Sequence, residues 1–356
     1  MTRHRLGFIL LAALLAAFRP AAAQATRYTL KGDSVAVYNL VGELRVEPGS
    51  GGGSDVAVQV TRGGADAARL EVQSGPLRGR ETLRIIYPDD VISFPEWSRG
   101  SNTTLRVRDD GTFGDDGRWR REGREVRITG GARGRGLEAY ADLRVSVPAG
   151  KRVALHLGVG KAFVSNVDGV IVVQAASADV SAERTRGTLK IDTGSGNVDV
   201  RDASGDVSLE SGSGDIMATA LHGGRVKLDT GSGNITVTGA EATELRIDTG
   251  SGDVTVSGAK GDDLSFDTGS GNVDVALLAT FQSLKIETGS GDVTVKVPPT
   301  IGAEVELDTG SGEIDLGGLT IQVRRLQQDH ITGTIGDGKA RLSIETGSGN
   351  VHLVKS

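Results

Sequence analysis

The sequence of 356 residues lacks cysteine altogether, and only 4% of its residues are aromatic. Without cysteine there can be no disulfide, so stability must come from core burial and backbone pairing. Lipidation would also need an N-terminal cysteine, which excludes a lipoprotein. So few aromatic residues disfavour a single core built on large side chains, whereas the 53 glycines favour many short strands joined by tight turns.

Positive charge and histidine are scarce as well. The formal net charge is −6, and loss of the N-terminal segment 1–25 would make it −9, because that segment carries three arginines and no acidic residue. Proteins that bind nucleic acids are usually basic, so we expect no nucleic-acid partner. The five histidines are scattered without the spacing of metal ligands, and we expect neither a metal nor another cofactor.

Segment 1–25 has the pattern of a secretory signal peptide. Arg3 and Arg5 precede an apolar run over residues 6–18, and small residues follow at Ala21, Ala23 and Ala25. Such a run is too short to span a bilayer, and no later apolar stretch is long enough to cross one. The sequence therefore predicts an exported protein of the periplasm, the cell surface or the extracellular space, with no membrane span after cleavage.

Eight copies of a twelve-residue phrase fill the second half of the chain. The fullest copy, at 189–200, reads Leu-Lys-Ile-Asp-Thr-Gly-Ser-Gly-Asn-Val-Asp-Val. The others begin at Val207, Val226, Leu245, Leu264, Leu284, Val305 and Leu342. The steps between the copies are 18 to 21 residues, except for a last step of 37, about two periods, where we expect a degenerate rung near residues 324–335. A fixed period of this length is typical of a stack of similar units.

Within each copy, apolar and polar residues alternate on both sides of Gly-Ser-Gly. This pattern predicts strand, corner, strand and a second corner, with the apolar side chains facing a common core. Weaker copies near residues 156–161 and 174–180 extend the pattern upstream. We therefore predict an all-β fold: a parallel β-solenoid (a β-helix of the pectate-lyase-like superfold) of about 11 rungs over 151–356. A Thr or Ser before each Gly-Ser-Gly is interpreted as structural, its hydroxyl bonded to backbone in the turn.

Two charged columns run along the predicted stack. One is acidic in every full copy, at Asp192, Glu210, Asp229, Asp248, Asp267, Glu287, Asp308 and Glu345. Lys190, Lys227, Arg246 and Lys285 lie two residues before four of these acids and can offset half of the charge. We interpret this acidic ladder as structural. The alternative is calcium, but the calcium repeats of secreted toxins place Asp where this chain has Val198, so only weak binding along the ladder stays open.

The second column follows Gly-Ser-Gly directly. It reads Asn197, Asp215, Asn234, Asp253, Asn272, Asp292, Glu313 and Asn350, and amide and acid alternate over the first six. Like charges one rung apart would repel by roughly 1 kcal/mol even in water, and alternation doubles their separation. This corner ladder is therefore predicted to face solvent and to limit repulsion.

The N-terminal part, 26–150, is predicted to be an irregular β cap with a Gly-, Arg- and Asp-rich insertion at 88–136. One interpretation of the insertion is a solvated, partly mobile segment. The other is a contact loop that grips a glycan or an anionic polymer. The residues of this possible contact loop are Trp97, Trp119, Arg118, Arg120 and Arg121.

The repeated Asp-Thr-Gly-Ser-Gly-Asn/Asp-Val-x-Val phrase, with Val-Gly-Glu-Leu-Arg-Val at 41–46, resembles the bacterial putative-adhesin family of exported β-strand-repeat proteins. The likeness covers 150–356 and extends to 30–87. It implies a parallel β-solenoid in the envelope or outside the cell, and it supplies no catalytic residues.

From these observations we expect a non-catalytic exported solenoid that presents an extended surface for adhesion or cell-envelope interaction. A glycan or a cell-surface or envelope component would be its partner. The alternatives are a polysaccharide-active β-helix enzyme and a periplasmic scaffold or regulatory protein. A cleft with clustered carboxylates and aromatic walls would favour the enzyme, and an unbroken face with mobile edge loops would favour the binding protein.

Overall fold

The computed structural model describes residues 25–49, 53–114, 122–131 and 136–356. These residues form a sheet of 21 strands and a separate sheet of three strands, with one 3-10 turn at Ala67–Arg69. No helix among them is long and apolar enough to cross a membrane. The fold is thus all-β, and most strands pair in parallel, as the repeats predict.

The strands of the N-terminal part are short, apart from the second. They are β1 Thr26–Leu30, β2 Ser34–Pro48, β3 Val56–Gly63, β4 Glu71–Leu77, β5 Arg80–Ile86, β6 Val91–Phe94, β7 Asn102–Val107, β8 Arg124–Gly130 and β9 Tyr140–Val147. The repeats contain β10 Lys151–Ser165, β11 Asp168–Ser195, β12 Val198–Ser211, β13 Ile216–Thr230, β14 Ile235–Thr249 and β15 Val254–Thr268. The remaining strands are β16 Val273–Leu277, β17 Ser283–Thr288, β18 Val293–Val297, β19 Ala303–Thr309, β20 Ile314–Asp315, β21 Ile321–Leu326, β22 His330–Ile335, β23 Ala340–Thr346 and β24 Val351–Lys355.

Successive repeats lie on one another as layers, each repeat contributing one layer. In the register of β11 to β15, Ile191 pairs with Leu209, and the same column continues through later layers. Its members are at most 2% exposed. Period-two alternation therefore works as expected, because it places one aliphatic side chain of each layer directly over the next and buries a continuous apolar column.

The two corners of a layer differ in kind. The strands end at Gly-Ser-Gly, but β12 to β15 run without a break through the predicted second corner. There a single left-handed residue bends the strand: Asp202 at φ 53°, Ala220 at φ 54°, Gly239 at φ 69° and Gly258 at φ 78°. One such residue turns the chain while hydrogen bonding to the next layer continues on both sides.

The predicted degenerate rung near 324–335 is wrong. Residues of this segment form an antiparallel hairpin of β21 and β22, and β22 pairs antiparallel with β19. The layer that begins at Leu342 lies between two earlier layers, because Leu342 pairs with both Leu284 and Val305. The order of layers in space therefore departs from their order in the chain.

One interpretation of the insertion 88–136 was a solvated, partly mobile segment, and the expectation that it is solvated is wrong for the strands that its described residues form. Strand β8 pairs in parallel with β6 and antiparallel with β7. Ile92, Phe94, Val126 and Ile128 are at most 4% exposed and join the hydrophobic core. Strands β6 and β8 each have only two buried apolar residues in alternation. So short a strand pattern does not stand out in a Gly- and Arg-rich sequence. In the larger sheet, strand β2 of the N-terminal part pairs in parallel with β10.

Candidate functional site

A cleft of about 510 Å³ lies where the loop after β6, residues 95–101, reaches over the Gly-Ser-Gly edge of the first layers. Its floor comes from the corner residues of successive layers, and its roof from Phe94, Glu96, Trp97 and Ser98. Chain segments more than 100 residues apart thus meet at one site, which combines aromatic residues with charged groups.

The floor is made of backbone because glycine is required there. Gly42, Gly160 and Gly196 adopt φ angles of 132°, 145° and 143°, which favour glycine. A Cβ on Gly160 would overlap the carbonyl oxygen of Gly42 in the neighbouring layer. Glycine therefore lets neighbouring layers lie close together at this edge, and the backbone of these residues lines the cleft.

Beside the floor runs a row of hydroxyl and charged groups. The Ser195 hydroxyl lies 3.1 Å from that of Ser177, one layer away. In the next column, Lys161 pairs in register with both Glu43 and Asp179, so an acidic residue stands on each side of it in the column. These columns are the upstream continuation of the repeat corners.

The roof is held by packing. Phe94 is 4% exposed, and its ring centroid lies 5.7 Å from that of Tyr140. Trp97 is partly buried against the hydrophobic core, and its backbone N–H donates to the Phe94 carbonyl at 3.2 Å. Of the predicted contact-loop residues, Trp97 lies at the cleft, whereas Trp119, Arg118, Arg120 and Arg121 lie outside the described residues.

Carboxyl groups gather at one end of the cleft. Burial raises the pKa of Asp142, and the nearby charges of Glu43 and Glu96 raise it further. Oδ1 of Asp142 accepts a hydrogen bond from the Glu43 backbone N–H at 2.9 Å, and Arg45 forms an ion pair with the Glu43 carboxylate. The lining itself contains three carboxylates and one ammonium group.

The acidic ladder continues through eight layers of the stack. Burial raises the pKa values of Asp192, Asp248 and Asp267, and the carboxylates one layer away raise them further. Lys227 and Lys285 pair with ladder acids at 3.0 and 2.7 Å, as predicted. The predicted offset by Arg246 is wrong, because its guanidinium bonds to Glu244 at 2.6 Å instead. Nowhere in the described ranges do three or more potential ligand residues cluster in a way that could hold a metal ion.

The corner ladder alternates more completely in space than in the chain. The side-chain oxygen of each Asn or Asp accepts a hydrogen bond from the backbone N–H of the next layer, at 2.7 to 3.0 Å. Because the last layer is inserted, Asn350 lies between Asp292 and Glu313. The spatial order is Asp179, Asn197, Asp215, Asn234, Asp253, Asn272, Asp292, Asn350 and Glu313. Acid and amide therefore alternate at every step.

The Thr and Ser column is structural. Each side chain is buried, and its hydroxyl donates to a backbone carbonyl of the neighbouring layer's turn. Thr249 Oγ1, for example, lies 2.9 Å from the Gly233 oxygen. The Thr193 hydroxyl also lies 3.3 Å from the Ser195 carbonyl oxygen of its own turn. These bonds satisfy polar groups that would otherwise be buried without a partner.

Sequence reasoning missed most of the cleft: Glu43, Glu96, Lys161, Ser177, Asp179 and Ser195. A signal was available for some of them. Lys161 and Asp179 stand 18 residues apart, the period of the stack, and 18 residues before Asn197, so that alignment by period brings them into one column. Nothing in the sequence brings Glu96 and Trp97 to that column.

This fold defines a class of repeat proteins built from stacked, mostly parallel strands. The chain belongs to the Toastrack DUF4097 family, whose model matches residues 140–354. The roof of the cleft lies outside the matched range.

A crystal structure of a putative cell adhesion protein from Clostridium sporogenes ATCC 15579 is similar over 94% of this chain and 99% of that chain, at 9% identity. Its TM-score of 0.22 leaves the likeness without weight for function. No curated protein matches the chain.

Proposed function

We propose that the protein is an exported, non-catalytic binding protein of the cell envelope or cell surface, and that its contact site is the cleft beneath Trp97. The observation that carries the proposal is a cleft lined by Trp97, by glycine backbone of the stack and by hydroxyl and charged groups. Concave sites with an aromatic anchor and a few convergent polar groups are typical ligand sites. The envelope or surface glycans that we expect as partners present both apolar ring faces and hydroxyls.

The same cleft favours a second candidate, a polysaccharide-active enzyme, because three carboxylates lie beside Trp97. Glycoside hydrolysis needs two carboxyl groups free to act as acid and as base or nucleophile. Here the Glu43 carboxylate is paired with Arg45, and Asp179 Oδ1 accepts the Asn197 backbone N–H at 3.0 Å. These partners give both carboxylates a structural task, which is why binding is the leading proposal.

The finer architecture is proposed as well: one parallel β-solenoid of the pectate-lyase-like class. The hairpin of β21 and β22 is not a rung, so it is no longer counted. The layer that contains β2 is counted in its place, and the proposed number of rungs stays at about eleven.

Binding is tested by incubating the chain without residues 1–25 with isolated cell envelopes and with a glycan panel. Trp97→Ala should abolish retention. Leu278→Ala is the control, because it removes a large apolar side chain (71% exposed) several layers away, directly after β16. Retention that survives Trp97→Ala contradicts the proposed contact site.

The enzyme is tested on the same panel by the release of reducing ends. No release is expected from any glycan. Release that Glu96→Gln abolishes would make the protein a glycosidase instead. Fractionation of expressing cells separates the remaining alternative, since retention in the periplasm favours a scaffold or regulatory protein over an adhesin.

A further inference from the structure

We infer that the cleft beneath Trp97 takes a saccharide that carries a free, protonated amino group. This inference rests on the proposed function, because it names the ligand class of the same site. It begins from the sign of the charge around the cleft.

Three carboxylates and one ammonium group line the cleft, and the guanidinium of Arg45, which pairs with Glu43, is not part of that lining. Glu43 and Asp179 lie on either side of Lys161 in one column, and Glu96 approaches from the roof. Asp142 lies next to Glu43, and its pKa is raised first by burial and then by the carboxylates of Glu43 and Glu96. The surroundings therefore attract a cation and repel an anionic polymer.

The aromatic ring favours a cation for an independent reason. The face of an indole attracts ammonium groups through its quadrupole more strongly than the ring of Phe or Tyr does. Packing against the core holds Trp97 in place, so the ring does not have to be ordered when the ligand binds. Carboxylates and an indole face together form a site for an amine.

The remaining features favour a saccharide as the carrier of that amine. The Ser177 and Ser195 hydroxyls and the backbone floor offer donors and acceptors to ligand hydroxyls. The volume of about 510 Å³ lies in the range of small-ligand sites and fits a few sugar units.

The test measures binding of three tetrasaccharides to the chain without residues 1–25, by calorimetry at about pH 6 and low salt. One carries free amines (glucosamine), one has the amines acetylated (N-acetylglucosamine), and one is anionic (galacturonic acid). We expect the amine tetramer to bind at least about tenfold more tightly than the acetylated one, because a full charge meets several carboxylates. We expect no binding of the anionic tetramer.

Three variants locate the effect. Trp97→Ala should abolish binding of the amine tetramer. Asp179→Asn removes one carboxylate of the cleft but keeps the oxygen that accepts the Asn197 N–H, and it should weaken binding about two- to fivefold. Asp215→Asn is the matched control, because it makes the same change in the same ladder outside the cleft lining and keeps its bond to the Asn234 N–H. It should leave binding unchanged.

The outcomes separate this inference from the proposed function. If the acetylated tetramer binds as tightly as the amine and Trp97→Ala abolishes both, the amine is refuted while a glycan site stands. If a lysine tetrapeptide binds more tightly than the amine tetramer in the same Trp97-dependent way, the ligand is a cationic peptide and the saccharide is refuted. If neither saccharide nor envelope binds in a Trp97-dependent way, both proposals fail.

Discussion

Asn350→Asp tests the corner ladder and the order of the layers together. Asn350 lies between Asp292 and Glu313, and the substitution keeps the side-chain oxygen that accepts the Glu313 backbone N–H at 3.0 Å. Only the charge changes. With layers about 4.8 Å apart, a carboxylate in water repels each neighbouring carboxylate by about 0.9 kcal/mol, and two neighbours give about 1.7 kcal/mol before screening.

Screening makes the prediction specific. In 10 mM salt the Debye length is about 30 Å, so about 1.5 kcal/mol of the repulsion should remain, whereas in 1 M salt, with a Debye length of about 3 Å, less than about 0.5 kcal/mol should remain. The assay is urea unfolding of the variant and the unchanged protein at pH 7 in both salts. Asn272→Asp serves as a reference, because Asp253 and Asp292 flank it.

The two substitutions should destabilise the protein equally. If the layers followed the order of the chain, with a rung at 324–335, residue 350 would lie at the end of the stack two layers from Glu313, and Asn350→Asp would cost about a quarter as much as Asn272→Asp. That result would refute the inserted layer. An equal loss in both salts would refute charge repulsion as the cause. Asp253→Asn should be slightly stabilising, because it removes a carboxylate whose nearest carboxylates in the corner ladder lie two layers away on each side.

Three further predictions concern single positions. Thr249→Val should lower the free energy of unfolding by about 1–3 kcal/mol, because the buried Gly233 carbonyl loses its hydrogen-bond donor. Thr255→Val is the control, because this residue lies on the exposed side of a strand, and it should change the free energy of unfolding by less than about 0.5 kcal/mol. Thermal denaturation of both variants measures the difference. Gly160→Ala should cost more than about 4 kcal/mol or prevent folding, as circular dichroism would show, whereas Gly224→Ala, where a Cβ meets only a side-chain oxygen at 3.4 Å, should fold. The pKa of the Asp248 carboxyl is raised, so as the pH falls the folded protein binds this proton before the unfolded chain does. The contribution of Asp248 to stability therefore rises as the pH falls from neutral to the ordinary aspartate value of 3.8. Asp248→Asn should be more stable than the unchanged protein at pH 7, and the gap should close across that window in urea unfolding.

Features that recur in every repeat could be predicted from the sequence, because each position is sampled eight times. The apolar column through Ile191 and Leu209, the Thr column and the solvent-facing corner ladder all follow from period-two alternation around Gly-Ser-Gly. Parallel pairing also follows, since a unit of this length has no core of its own and must lie on its neighbour.

Features that occur once could not be predicted in the same way. Period-two alternation is identical for parallel and antiparallel pairing, so residues 321–335 fit a rung as well as the hairpin that they form. The step of 37 residues is compatible with two turns of the stack or with an excursion and return. Only the alternation of the corner ladder contained a hint, because it failed at Glu313 in chain order and holds in spatial order.

The floor and the charged column of the cleft are features that recur along the stack, whereas its roof occurs once. This difference has a consequence for ligand specificity. A Cβ on Gly42, Gly160 or Gly196 of the floor would overlap a nearby backbone carbonyl oxygen, and Asp179 of the charged column accepts a backbone hydrogen bond of the stack. The roof at residues 95–101 has no such duty to the layers and lies outside the range that the family model matches. We therefore expect a change of ligand to come from the roof, and a chimeric protein with another loop at residues 95–101 that keeps an apolar side chain at position 97 should keep the stack while its ligand changes.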